Sequence, residues 1–269
     1  MSDSLFKIDS DIFVITGVSG QLGCEYTKAI LKRGARIIGL DIEPSLQLNN
    51  ITSAYQEQFK FCPCDVTQIS DLKNALVMTR KHYGEPSVVI NNAAIDSPPD
   101  ASLEENGPFE SYPDSSWDRV MDVNVKGVYL TCKVFGAALA ANNRGSIINI
   151  SSIYGLLSPD QSIYEYRRRR GEIFYKPIAY SASKSALLNL TRYLAVYWAK
   201  AGVRVNTLVI AGVENNQEQE FMEAYCNRIP IGRMANRDEY VGAVIFLASE
   251  ASKYMTGAEL IVDGGWTAI

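Results

Sequence analysis

The chain has 269 residues, of which 47% are hydrophobic and 21% charged, and its net charge at pH 7 is -4. This composition fits one large globular domain, or at most two smaller ones, and the acidic balance argues against a general nucleic-acid binder. His82 is the only histidine, which makes a Ser-His-Asp hydrolase or a histidine-rich metal site hard to build.

The predicted secondary structure alternates short β-branched runs with longer amphipathic stretches. This alternation predicts an α/β fold, a doubly wound parallel sheet with helices on both faces, in a single domain of residues 1–269. The seven predicted strands are Ile12 to Thr16, Arg36 to Leu40, Phe59 to Cys62, Val88 to Ile90, Ser146 to Ile150, Arg204 to Leu208 and Leu260 to Val262. The predicted helices are Gln21 to Arg33, Ile69 to Tyr83, Trp117 to Ala141, Pro177 to Ala201 and Asp238 to Ala248.

The cysteines and the chain start bear on cellular location. Five cysteines at irregular positions argue against a disulfide framework. Cys62-Pro63-Cys64 has no second pair to complete a metal site, so we expect buried thiols at a strand end and no metal. The segment from Met1 to Asp11 has no signal-peptide core, and no later run is long enough to cross a membrane. We therefore predict a cytoplasmic protein.

A glycine-rich turn follows the first predicted strand and leads into a helix. The turn is Thr16-Gly17-Val18-Ser19-Gly20-Gln21-Leu22-Gly23. A strand, a glycine-rich turn and a helix together let backbone amides and the helix N-terminus bind a pyrophosphate, as in a Rossmann dinucleotide site.

Two aspartates at the ends of the next strands fit the same site. Asp41 lies twenty-four residues beyond Gly17, where its carboxylate would accept hydrogen bonds from the adenosine ribose and repel a 2′-phosphate. Ile42 and Glu43 follow it instead of an arginine, so we predict NAD in preference to NADP. Asp65 either binds the adenine amino group or caps the following helix.

Tyr180 and Lys184 are the candidate proton-transfer residues. Their spacing of four residues places a phenol and an ammonium on one face of the predicted helix, one turn apart. A lysine cation favours the phenolate and lowers the tyrosine pKa, so Tyr180 could exchange a proton with a substrate hydroxyl or carbonyl. The alternative is an ordinary solvated helix face.

Together the motifs resemble the short-chain dehydrogenase/reductase family over nearly the whole chain. The matching motifs, in the family's order, are the glycine-rich turn, Asp41, Asp65-Val66, Asn91-Asn92-Ala93-Ala94, Asn124 within Val123-Asn124-Val125-Lys126-Gly127, Ser151-Ser152-Ile153-Tyr154-Gly155, Tyr180 with Lys184, and Val262-Asp263-Gly264-Gly265. The resemblance implies hydride transfer between nicotinamide and a secondary alcohol or ketone carbon.

The resemblance also assigns roles to single residues. Ser152, three residues before Gly155, would be the catalytic serine, and Asn124 would bind a water that relays protons. Lys184 would also hold the nicotinamide ribose. The alternatives are that Asn124 is satisfied by backbone groups and that Ser152 is a strand-end cap. The implied cofactor-binding residues are Gly17, Ser19, Gly20, Gln21, Leu22, Gly23, Asp41, Asp65, Val66, Asn92, Ala93, Ala94, Tyr180, Lys184, Gly212 and Val213.

Three departures from the family pattern limit the comparison. The glycines Gly17, Gly20 and Gly23 have the spacing of the extended branch, which contains nucleotide-sugar epimerases and dehydratases. Ala211 stands where a proline is common, before Gly212. Ser152 and Tyr180 are twenty-eight residues apart, which indicates an insertion at about residues 159–176 beside the active site.

The inserted segment narrows the resemblance to the flagellin-modification protein A group. Those bacterial proteins are associated with nonulosonic sugars, so the resemblance implies a sugar, activated sugar or nucleotide sugar as substrate. Tyr154 and the run Arg167, Arg168, Arg169 and Arg170 are the predicted substrate residues. We expect one or two of these arginines to bind an anionic substrate, because arginine suits phosphate and carboxylate. The alternative is a solvated charged stretch.

Two other functions remain open. The glycine spacing suggests an epimerase or dehydratase that recycles its NAD, although the chain ends just after the last predicted strand, without an extra substrate domain. A non-catalytic nucleotide-binding regulator would need only the cofactor half of the motifs. The resemblance further implies a homotetramer or homodimer, with contacts through the long helices.

Overall fold

Seven parallel strands form the centre of the computed structural model, which describes residues 4–96 and 103–269. Their apolar residues are buried on both faces, as a parallel sheet covered by helices requires. The sheet order is β3-β2-β1-β4-β5-β6-β7. The strands are β1 Ile12–Thr16, β2 Arg36–Asp41, β3 Phe59–Pro63, β4 Val88–Asn91, β5 Gly145–Ser152, β6 Val203–Ile210 and β7 Glu259–Val262.

Helices cover both faces of the sheet. The described helices are α1 Gln21–Leu31, α2 Leu46–Thr52, α3 Ile69–His82, α4 Asp114–Met121, α5 Gly127–Thr131, α6 Ala137–Ala141, α7 Ile153–Leu156, α8 Glu165–Arg169, α9 Ile178–Trp198, α10 Gln219–Cys226 and α11 Val241–Ala248. Apolar side chains of α1, α2 and α11 fill one core cluster, and those of α3, α5, α6 and α9 fill the other. The predicted doubly wound, seven-stranded Rossmann fold in one domain is confirmed.

The long helix predicted from Trp117 to Ala141 is present with two irregular turns. Helices α4, α5 and α6 are joined by π-helical turns at Asp122–Lys126 and Cys132–Gly136. Four short helices, α2, α7, α8 and α10, were not predicted, because four to eight residues carry too few apolar repeats to show a helical period.

Five strands end later than predicted, and three of them, β2, β4 and β5, end in a polar residue. Asp41, Asn91 and Ser152 pair with Pro63, Asn149 and Ile210 on the neighbouring strands. Because carboxyl ends of parallel strands meet at one edge, these side chains reach the same crevice.

The remaining structural predictions concern thiols, metals and membranes. Within residues 4–96 and 103–269, all five cysteines are free, no cluster of ligating side chains could hold a metal ion, and no helix is long and apolar enough to cross a membrane. Burial raises the pKa of the Cys64 thiol to about 12, which suppresses its reactivity. The full domain span of 1–269 stays a prediction, since residues 1–3 and 97–102 lie outside the described ones.

Candidate active site

The glycine-rich turn lies against the end of β4. Gly17 has a left-handed backbone with φ of 66°, and a Cβ there would come within 2.7 Å of the Ala93 main chain. Only glycine fits such a close approach of two backbones. Asn92 secures the contact, because its side-chain amide donates to the carbonyl oxygens of Thr16 at 3.2 Å and Gly17 at 2.9 Å.

A groove of about 1050 Å³ opens in front of this turn. Its lining includes these predicted cofactor residues: Gly17, Ser19, Gly20, Gln21, Leu22, Asp41, Asp65, Val66, Asn92, Ala93 and Ala94. Gly23 does not line it. A Cβ on Gly23 would lie 2.2 Å from the Gly17 carbonyl oxygen, so this buried glycine lets α1 pack against the turn.

The Asp41 carboxylate is fixed at the groove by backbone donors. One oxygen accepts from the Ser19 amide at 2.9 Å and the other from the Ile42 amide at 2.8 Å. The half-exposed carboxylate keeps further lone pairs for ligand hydroxyls. Asp65 instead accepts from the Thr67 amide and hydroxyl, at 2.9 and 2.8 Å, so it caps the turn before α3 while also lining the groove.

Ser152, Tyr180 and Lys184 lie close together, although none of the three lines the groove. Lys184 is buried, its ammonium nitrogen lies 2.9 Å from the Ile150 carbonyl oxygen, and it stands 5.7 Å from the Tyr180 ring centroid. Ser152 ends β5, and its hydroxyl accepts from the Tyr154 amide at 3.2 Å. The hydroxyl of the preceding Ser151 donates to the Lys184 carbonyl oxygen at 2.9 Å. Ser152 is therefore the serine that faces Tyr180.

The pKa values of Tyr180 and Lys184 differ from those expected from the sequence. Burial raises the pKa of the Tyr180 phenol, the Asp96 carboxylate adds to the rise, and hydrogen bonding to Ser152 opposes it. Burial lowers the pKa of Lys184 to about 8, and Asp96 opposes that fall. The predicted lowering of the Tyr180 pKa is therefore wrong for the protein without cofactor, because desolvation of the phenolate dominates.

Asn124 lies in the first π-helical turn and is fully buried. Its side-chain oxygen accepts from the Ile95 amide at 2.8 Å, and its nitrogen donates to the Ile95 carbonyl at 2.8 Å and to Ser183 at 3.0 Å. The side chain thus ties the segment after β4 to helix α9, which carries Tyr180.

The segment after β6 lies beyond the groove. The Gly212 amide donates to the Tyr225 hydroxyl at 2.8 Å, and Val213 bridges to Ala235. Gln21 connects the two regions, since its side chain donates to the Glu214 carbonyl at 2.9 Å. Gly212 and Val213 therefore lie near the N-terminus of α1, and neither lines the groove.

The four arginines of residues 167–170 do not come together at Tyr180. Arg167 pairs with Glu172 at 3.1 Å and Glu218 at 3.5 Å, and Arg168 pairs with Glu165 at 2.8 Å. Arg170 pairs with Glu218 and Glu220, while Arg169 is exposed and has no ion pair among the described residues. The expected pairing with acids is present. No hydrogen bond or ion pair in the described part joins any of the four to Ser152, Tyr180 or Lys184.

Sequence reasoning did not identify Lys176 and Asp96 as site residues. The Lys176 ammonium lies 5.5 Å from the Tyr180 ring centroid and forms an ion pair with Asp96. The two residues are 80 positions apart, so no local motif could reveal the pair. Tyr154, the other predicted substrate residue, is buried next to Ser152.

Comparisons with known proteins find relatives over nearly the whole chain. A family model described as enoyl-(acyl carrier protein) reductase matches residues 17–267. Galactitol 2-dehydrogenase (L-tagatose-forming) of Cereibacter sphaeroides is 31% identical, with 98% of each chain covered.

Two solved structures extend the comparison. A short chain dehydrogenase from Leptospira borgpetersenii with bound NAD+ has a TM-score of 0.82 and 32% identity, over 96% of this chain and 92% of that one. A gluconate 5-dehydrogenase from Burkholderia cenocepacia, in complex with NADP and tartrate, has a TM-score of 0.84 and 25% identity, over 99% and 98%.

Proposed function

The chain belongs to the short-chain dehydrogenase/reductase family of NAD(P)-dependent oxidoreductases, and from this premise we propose that it transfers hydride between NAD and a secondary alcohol or ketone carbon of a sugar-like substrate. The observation that carries the proposal is the close approach of Ser152, Tyr180 and Lys184, in addition to the groove. A regulator that only binds a nucleotide would need the groove but not this group of three side chains.

The residues of the groove fit a dinucleotide. The glycine-rich turn lines the groove and precedes the N-terminus of α1, where amides favour a pyrophosphate. Asp41 offers carboxylate oxygens to ribose hydroxyls. When bound, the nicotinamide would accept or supply the hydride.

The protein's own residues would handle the proton. Ser152 would donate a hydrogen bond to the substrate oxygen, which holds that oxygen beside the Tyr180 hydroxyl. Tyr180 would take the alcohol proton in the oxidative direction. Lys184 would stabilise the phenolate, and Asn124, fixed between Ile95 and Ser183, would position the relay towards solvent.

We propose NAD as the physiological cofactor. The carboxylates of Asp41 and Glu43 stand at the second strand end, where a 2′-phosphate would be repelled. The bound cofactors of the two solved relatives are NAD+ and NADP, so the family alone does not decide between them.

For the substrate we propose a sugar, polyol or activated sugar. The relatives named above act on galactitol and gluconate, which are polyhydroxylated secondary alcohols. The resemblance of the inserted segment to the flagellin-modification protein A group supports a place in bacterial surface-glycan or nonulosonate biosynthesis. A cytoplasmic location forms part of the same proposal.

The test is a substrate screen with NAD or NADH, using alditols, sugar phosphates, nucleotide sugars and free nonulosonates. We expect stoichiometric NADH formation or consumption with at least one compound. Product formation without net cofactor change would favour the epimerase or dehydratase, which the glycine spacing suggests. No turnover of any compound by protein that binds NAD would favour the regulator.

We also propose that the protein forms a homotetramer or homodimer. Helix α9 exposes Tyr193, Val196 and Tyr197 at 66%, 82% and 67% of their surface, an apolar stripe that suits a contact between copies. Light scattering should give a mass of two or four chains at micromolar concentration, and a monomer would contradict this.

A further inference from the structure

The ion pair between Lys176 and Asp96 stands beside the Tyr180 ring. The Lys176 side chain is 14% exposed and the Asp96 side chain 53% exposed. Lys176 lies 5.5 Å from the ring centroid, slightly closer than Lys184 at 5.7 Å from the same ring. The ammonium therefore belongs to the immediate surroundings of the proton-transfer group, while the carboxylate is half exposed to solvent.

The inserted segment, residues 159–176, holds Lys176 in this position. The Gln161 side chain accepts from the Lys176 amide at 2.9 Å and donates to its carbonyl at 3.3 Å. The Arg168 guanidinium donates to the Gln161 carbonyl at 2.7 Å and to the Phe174 carbonyl at 3.1 Å. Arg168 thus joins the two ends of the segment, and its function in the fold is to fix Lys176.

Within the described residues, four of the five cations of residues 167–170 and 176 are paired with acids, and Arg169 is the exception. Arg167, Arg168 and Arg170 pair with glutamates, and Lys176 pairs with Asp96. The charge of Asp96 reaches the reacting groups, since it raises the pKa values of both Tyr180 and Lys184. An anionic substrate would have to displace Asp96 from Lys176 or accept its repulsion.

Hydroxyl groups near the pair lack partners. In the described part of the chain, the Tyr112 hydroxyl has no hydrogen bond, and the Tyr154 hydroxyl lies near that of Tyr164 without a bond of normal geometry. Together with burial, which is the larger cause, the Asp96 carboxylate raises the pKa of all three of these phenols, so each of them lies within range of its charge. Unpaired donor-acceptor groups beside a carboxylate and an ammonium match the alternating hydroxyls of a polyol.

We propose that the Asp96–Lys176 pair binds hydroxyl groups of a neutral, polyhydroxylated substrate next to the reacting carbon, and discriminates against its anionic counterparts. Asp96 accepts a hydroxyl hydrogen, Lys176 donates to a neighbouring hydroxyl oxygen, and the pairing with Asp96 leaves the Lys176 ammonium without a free charge for a carboxylate or phosphate. This inference rests on the proposed oxidoreductase function and narrows the proposed substrates to the neutral sugars and polyols among them.

The test compares three alditols with their aldonates: threitol with threonate, arabinitol with arabinonate, and galactitol with galactonate. Steady-state oxidation with NAD is measured for the parent, Asp96→Asn, Lys176→Met and Lys73→Gln. We expect the parent to favour at least one alditol over its aldonate by tenfold or more in kcat/KM. Asp96→Asn should reduce that ratio about tenfold, because it removes the repelling charge and frees Lys176.

Lys176→Met should raise KM for the alditol about tenfold while changing kcat less, since it removes a charged hydrogen-bond donor from binding. Lys73→Gln, at an exposed position of α3, should behave as the parent. A purely structural pair would change stability but leave the alditol-to-aldonate ratio unaltered, and that result would overturn the proposal.

The results that would overturn this inference differ from those that would overturn the proposed function. A parent that prefers an aldonate, or that reduces NAD only with sugar phosphates or nucleotide sugars, would overturn the neutral-substrate assignment and leave the oxidoreductase proposal standing. A parent that oxidises none of the six compounds would overturn the assignment as well.

Discussion

Replacing Lys184 with methionine should change how the stability of the cofactor-free protein depends on pH. Lys184 is 4% exposed, and burial lowers its pKa from 10.5 to about 8. Between these two pKa values the unfolded chain holds a proton that the folded protein has lost. Unfolding therefore takes up a proton, and the free energy of unfolding rises as the pH increases from about 8 towards 10.5.

The size of the effect follows from the same two pKa values. Each unit of pKa difference corresponds to about 1.4 kcal/mol, so the parent should gain about 2.5 kcal/mol relative to Lys184→Met between pH 7 and pH 10. The difference at a single pH also includes the hydrogen bond to Ile150 and changes in packing. The change with pH of the stability difference between the parent and Lys184→Met reports the charge of Lys184 alone.

Urea unfolding of parent and variant at pH 7 and pH 10, at one protein concentration, measures this change. Methionine at Lys253, an exposed position, serves as the control and should leave the pH dependence as in the parent. A stability difference between parent and Lys184→Met that is equal at both pH values would refute the reasoning.

Three further predictions concern the turn, the cofactor and the inserted segment. Gly17→Ala should lower stability by about 1–3 kcal/mol and weaken NAD binding, because it combines a left-handed backbone with a contact at 2.7 Å; parent-like urea curves and NAD titrations would contradict this. Asp41→Ser should lower the preference for NAD over NADP about tenfold in dissociation constants, and equal affinity of the parent for both cofactors would show that Asp41 does not select. Arg168→Ala should speed proteolysis within residues 161–176 and raise the substrate KM at unchanged NAD affinity, because Arg168 holds the two ends of this segment together. Arg169→Ala should do neither. Equal behaviour of the two variants would show that Arg168 does not join the ends of the segment.

The sheet and the cofactor half of the site were predictable because their signals are local. Strand β1 has the bounds predicted for it. Its apolar run is followed by a tight turn, in which only glycine fits at position 17. Asp41 follows from the position of the second strand end. The π-helical turn that carries Asn124 left no trace in the apolar period, because the helix continues on both sides.

The charged surroundings of Tyr180 could not be predicted from local patterns. Four consecutive arginines suggested an anion site, but two of their partners, Glu218 and Glu220, lie about fifty positions away in the chain. Lys176 and Asp96 come together only when the fold brings the end of the inserted segment against the segment after β4. The raised pKa of Tyr180 likewise depends on burial, which spacing does not reveal.

Tyr180→Phe tests the central claim most directly, because it removes one oxygen from the site and leaves the groove unchanged. The measurement is hydride transfer to NAD in the presence of a substrate from the screen, together with NAD affinity in the same preparation. The account predicts a loss of at least a hundredfold in kcat with NAD affinity equal to that of the parent. Unaltered turnover by Tyr180→Phe would contradict it.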